Sequence, residues 1–195
     1  MACTALTKGR GLDCNRVAGG VKNVYFSVYD DFGSTDWAYD GTHEQEIDTI
    51  DFNNHSIYKY VMPLGVASVS DAITGSTENG TIFYTPTVSI MLNKLTKEDQ
   101  NQIKLLGQTK VRMFVELNAK LASGHDVILC VGFENGLDLN SGSMDSGAAF
   151  GDRNGYQLTF TGIESRPMAF LEDYGSAIFD NAGFTNKATP FVVST

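Results

Sequence analysis

Thr81-Ile-Phe-Tyr-Thr-Pro-Thr-Val-Ser-Ile-Met-Leu92, with the polar run Thr96 to Leu106 behind it and then Val111-Arg-Met-Phe-Val-Glu-Leu117 and Asp126-Val-Ile-Leu-Cys-Val-Gly-Phe133, decides the fold. Val88, Ile90 and Leu92 alternate with Thr87, Ser89 and Met91, the period of a strand with one buried face. Pro86 has no N–H to give to a ladder, which predicts an edge strand or a bulge at that point. Thr96 is placed to cap a helix reaching Leu106, with Asp99 three residues on as its capping-box partner and Gly107 as the stop. Ile103 and Leu106 make a narrow apolar stripe on a polar rod, so this helix covers a sheet rather than being enclosed. Val111 to Leu117 alternates again, whereas Val127 to Phe133 is a continuous apolar run expected at the centre of the core. The segment predicts a mainly β fold with one flanking helix, and it offers no chemistry.

Outward from it, strands are expected over 21–29, 46–52, 56–62, 66–74, 156–162 and 168–171. Between the first two, Asp30 to Glu46 carries Asp30, Asp31, Asp36, Asp40, Glu44 and Glu46 and is expected as an exposed loop or a two-stranded excursion. Residues 134–155, with glycines at 136, 142, 147, 151 and 155, read as a long glycine-rich loop, too long for an idle hairpin turn. Residues 1–20 form a polar N-terminal arm, and 180–195 a C-terminal tail that is polar apart from Phe184 and Phe191-Val-Val193. No linker-like tract divides the chain and no internal repeat is present, so 1–195 is expected to be one domain.

A formal net charge of −9 and a pI near 4.7 argue against a surface that holds nucleic acid by neutralising phosphates. Three cysteines, Cys3, Cys14 and Cys130, leave one unpaired in any disulfide scheme and match no zinc spacing, which points to synthesis in a reducing compartment. Neither a signal-peptide core nor an apolar run of membrane-spanning length is legible.

Candidate chemistry is thin, and no catalytic, cofactor-binding or metal-ligating residue is assigned. His43 and His55 lie in turn-like context and His125 at a strand entrance, without ligand partners at helical spacing. No Gly-x-Ser-x-Gly elbow occurs, although a Ser-His-Asp or Cys-His group converging in space stays open. Gly142 to Gly147 and Gly151 to Gly155 lack the lysine of a phosphate loop, and Asp145 and Asp152 would repel the phosphate. The spacing of Asp145, Asp152 and Asn154 is not that of a calcium loop. Carboxylates between Asp30 and Asp51, with Trp37 and Tyr39 nearby, leave a carbohydrate-binding or glycosidase cleft as an alternative from another class; Tyr58 and Tyr60 either join it or serve an interface.

The order of Ile82-Phe-Tyr84, Leu95-Thr-Lys-Glu-Asp-Gln100, Val111 to Leu117, Val127 to Phe133 and Tyr156-Gln-Leu-Thr-Phe160, with Arg166-Pro167 after it, resembles a bacteriophage tail tube protein. More narrowly, Leu6-Thr-Lys-Gly-Arg10, Cys14, Gly19-Gly20-Val21-Lys22 and Val24-Tyr25-Phe26 resemble the openings of small virion structural proteins of tailed phages that infect Bacteroidetes-type hosts. The resemblance covers most of the chain in architecture and only these stretches in wording. It implies a non-enzymatic β-sandwich or barrel with a flanking helix, assembling as hexameric rings that stack into a hollow tube. One sheet of each subunit would line the lumen, loops and arms would join ring to ring, a tape-measure protein would fill the tube, and DNA would pass without specific binding. Strands 56–62 and 66–74 are the expected lumen sheet and 134–155 the expected ring contact. Another structural role, as tail terminator, head-tail connector or capsid decoration protein, is the alternative within the virion.

Overall fold

The computed structural model describes residues 9–11 and 17–194. Most of the expected arm 1–20, with Cys3 and Cys14, lies outside the described residues. Strands β1 (Val21–Val28), β2 (Trp37–Tyr39), β3 (Glu46–Asp51), β4 (Ile57–Val61), β5 (Ser68–Ser76) and β6 (Thr81–Asn93) precede helix α1 (Lys97–Leu106). After it come β7 (Val111–Lys120), β8 (Asp126–Val131), β9 (Asp138–Asp145), β10 (Gly155–Thr161), β11 (Ala169–Leu171), β12 (Phe184–Thr185) and β13 (Val192–Val193). The chain is mainly β, as expected, and forms one domain of two packed sheets. The sandwich alternative holds, since neither sheet closes into a barrel.

By pairing, the larger sheet links β12-β3-β11-β8-β7-β1-β4-β13, with β12 and β11 on one side of β3 and β2 on the other, and the smaller runs β5-β6-β10-β9. Alternation assigns the faces. Val24, Phe26, Met113, Val115, Leu129 and Val131 of the large sheet meet Val88, Ile90, Leu158 and Phe160 of the small one. Each side chain of this size contributes about 1.5–3 kcal/mol when buried. The opposite face of the large sheet is also covered. Tyr25, Phe114, Ile128 and Cys130 pack there against Phe32, Phe52, Phe179 and Phe184, supplied by connecting segments and the C-terminal tail. β8 lies at the centre of this sheet with both faces covered, so all six of its residues are buried, as its unbroken apolar run requires.

The helix forms as its sequence predicts. Thr96 accepts from the Asp99 N–H at 3.0 Å, the Thr96 hydroxyl bonds the Asp99 carboxylate at 2.6 Å, and the Gly107 N–H closes the last turn on Ile103. None of its residues is fully buried, and only Ile103 and Leu106 touch the core.

Three expectations are corrected. Pro86 is neither on an edge strand nor at a bulge: β6 is central, and Pro86 pairs in register with Asp71 of β5. Its carbonyl accepts from Gly162 at 3.3 Å, so the missing N–H points to that same side, where β10 has already ended at Thr161, and one ladder bond is all that is lost. Residues 134–155 are not one long loop, because β9 occupies eight of them and pairs with β10; the open part is confined to 146–154. β9 escaped the pattern because it is Ser, Gly and Asn rich and a register shift opposite Thr159–Phe160 interrupts its alternation. Finally, β4 and β5 lie in different sheets and cannot share a lumen face.

Candidate functional site

The histidines have partners that helix spacing could not reveal. His43 sits in the β2–β3 turn with its Nδ1 2.8 Å from Asp40 and 3.6 Å from Glu46, and ligand atoms of the three lie within 4.8 Å of one another on the exposed surface. His55 Nδ1 is 3.4 Å from Asp31. His125 stacks on Tyr174, centroids 4.6 Å apart, and its Nδ1 meets Asp173 at 2.7 Å. Ser123 completes the composition of a Ser-His-Asp group without its geometry. Its oxygen accepts from the His125 main-chain N–H at 3.4 Å, and Ser123 and His125 together hold the Asp173 carboxyl below the usual carboxylate range. A nucleophilic serine must instead bond the imidazole, so this arrangement activates nothing.

Asp145, Asp152 and Asn154 do not converge either. Asp145 pairs with Arg153, Asp152 accepts from the Ala148 and Ala149 N–H groups at 2.9 and 2.7 Å, and Asn154 accepts from Leu95 N–H. Trp37 is absorbed by packing, edge-on to Tyr39 at 5.3 Å and to Phe133 at 5.5 Å. Tyr60 packs on the other face of the large sheet, edge-on to Phe26 at 4.9 Å, so Tyr58 and Tyr60, alternate residues of one strand, do not join Trp37 in a sugar platform.

Two charged residues of β7, Arg112 and Glu116, are buried, and both are structural. Arg112 is 1% exposed; its Nε donates to the Phe133 carbonyl at 3.0 Å and Nη1 to those of Tyr29 and Phe32, while its plane lies over the Tyr29 and Phe32 rings at 4.1 and 4.6 Å. Burial lowers its pKa from an ordinary arginine's, but the group stays charged. Glu116, fully buried, accepts from Asn23 at 2.6 Å and Tyr25 at 2.8 Å through Oε2, while its Oε1 meets Lys22 Nζ at 2.9 Å as an ion pair without hydrogen-bond geometry. Lys22 and Lys120 both reach Asp126, at 2.6 and 2.5 Å. Burial opposes ionisation of Asp126, yet the hydrogen bonds from Lys120 and Lys22 outweigh it and bring its carboxyl down to about 2. Strand pairing alone could have found this group, since Asn23 lies opposite Glu116 in the β1–β7 register.

What the molecule presents outward is strand edges and polar sheet. The large sheet ends at one side in the three-residue β2, because β12 and β11 both lie on the other side of β3, and at the other in the two-residue β13 of the C-terminal tail along Ile57 and Tyr58 of β4. Both edges of the small sheet, β5 and β9, are long, and among the described residues no strand caps either. Its outer face carries a hydroxyl row across all four strands, Ser68-Ser89-Thr159-Ser141, and a second across three of them, Ser70-Thr87-Thr161, that ends on the Asp138 carboxylate. Ser89 and Thr159 meet at 3.3 Å. The β5–β6 hairpin runs on past the end of β10 and exposes Ile73 and Ile82. Among the described residues no helix is long and apolar enough to cross a membrane.

No protein-family model matches the chain, and no curated protein is similar to it. Among solved structures, a chain described as "Virion of native gene transfer agent (GTA) particle" aligns with 58% of this chain and 89% of its own length, at 8% identity and a TM-score of 0.33. A likeness that slight carries no argument about function.

Proposed function

We propose that this chain is a non-enzymatic structural protein of a virion, the subunit of a phage tail tube, which assembles through its small sheet into rings stacked around a lumen. The observation that carries the reading is the asymmetry of strand edges: the large sheet ends in the short strands β2 and β13, and among the described residues the small sheet leaves the long strands β5 and β9 open. An uncovered long edge is an aggregation liability unless a neighbour's edge completes it. Joining β5 of one copy to β9 of the next would do so at every subunit and close a ring when the rotation closes. The hydroxyl-lined outer face of that sheet would then line the lumen, with the role expected of 66–74 kept by β5 and that of 56–62 passing to β6, β9 and β10. Neutral hydroxyls and an overall charge of −9 suit a conduit along which DNA slides without adhering. Hexameric rings, a tape-measure protein inside the tube and assembly in the host cytoplasm come with the same reading and rest on the resemblance.

Negative-stain electron microscopy of the purified protein across a concentration series tests it. Hollow filaments of constant diameter are expected. Rings that never stack favour a terminator or connector, and monomers at every concentration remove the self-assembly reading.

A further inference from the structure

Phe150 and a groove elsewhere on the molecule form a matched pair. Phe150, at the tip of the 146–154 loop, is fully exposed among the described residues. The loop that presents it is ordered by its own bonds: Asp152 accepts from Ala148 and Ala149, its N–H returns to the Ala149 carbonyl at 3.0 Å, and Arg153 ties the base to Gln157 at 2.8 Å and to Asp145. A ring held out by an ordered loop loses little freedom on docking. The groove lies between the last turns of α1 and strands β1 and β4, is lined by Phe26, Val28, Tyr58, Tyr60, Leu105 and Leu106, and has a volume of about 180 Å³. An enclosed apolar cavity of roughly 150 Å³ accepts a benzene ring, so this groove, whose lining also includes Ser27, Gln102 and Thr109, has room for a phenyl side chain. Tyr58 and Leu105 on its rim are 47% and 57% exposed, so the described residues leave the apolar surface uncovered.

We propose that Phe150 of one copy inserts into the groove of the next. The inference rests on the self-assembly reading and names an anchor for it. Because knob and groove are different surfaces of one chain, the contact runs head to tail, and each copy keeps one unused half that the following copy fills. A single aromatic side chain covers only about 150–250 Å², and a stable interface needs about 1,600 Å². Phe150 is therefore the anchor residue, and the β5 and β9 edges supply the remaining area.

Sedimentation and light scattering of Phe150→Ala, of Leu105→Arg and of an equimolar mixture test the proposal. Both positions are exposed, so both variants should keep the wild-type circular dichroism and melting temperature. Each alone should raise the critical concentration for assembly at least about thirtyfold, the effect of losing an anchor residue. In the mixture the intact Phe150 of the Leu105→Arg chain still fits the intact groove of the Phe150→Ala chain, and 1:1 dimers should form that grow no further. Normal tubes from either variant overturn the proposal and leave the tail-tube reading standing. A wild type that stops at closed dimers overturns the head-to-tail contact, and a wild type that never associates overturns both readings.

Discussion

Arg112 lies where the chain returns three carbonyl oxygens, from Tyr29, Phe32 and Phe133, to one point in an aromatic layer. A guanidinium can donate to all three while its face rests on the rings. Arg112→Met should lower the unfolding free energy by about 3–5 kcal/mol in urea titrations, because the carbonyls stay buried. Lys97→Met, exposed on the helix, should change it by less than about 0.5 kcal/mol. Asp126 sets a pH window. Its carboxyl stands near 2 when folded and about 3.9 in an unfolded chain, so its contribution is complete above pH 4 and disappears as pH falls through 2. Lys120→Met removes one of its two ammonium partners, so the carboxylate titration followed by NMR should move upward toward 4. Neither role is legible from residue identity, since a charged residue in an alternating strand normally faces water.

At the scale of elements, those with their own signal form as read. Thr96 and Gly107 bound α1 where they were expected to, and Thr96→Ala should cost about 1 kcal/mol of stability by removing the acceptor for the Asp99 N–H. Elements that take their order from a partner were not legible. β9 is held by β10, and β12 and β13 are two-residue strands made only by lying along β3 and β4. The β6–β10 pair shows how close such partners come, since a Cβ on Gly155 would overlap the Leu92 carbonyl oxygen. Gly155→Ala should therefore lower stability by about 2–3 kcal/mol, measured by chemical denaturation, whereas Gly151→Ala, with open space around it, should be close to neutral.

For the whole molecule, the lumen assignment makes its own prediction. Thr87→Lys with Gln157→Lys, on the central strands of the small sheet's outer face, should leave tube formation intact and slow DNA release in a salt-dependent way; unchanged release would place the lumen elsewhere. The sequence by itself determined the β class, the capped helix, the fully buried strand Asp126–Val131 and the strands with alternating faces, because each of these follows from periodicity and capping within a few residues. Only the tertiary structure decided which strands share a sheet, which edge the C-terminal tail closes, that Tyr58 and Trp37 lie on opposite faces, and that Arg112 and Glu116 are buried. These depend on pairings between residues about a hundred positions apart, such as Asn23 with Glu116, and local chemistry carries no record of a partner at that separation.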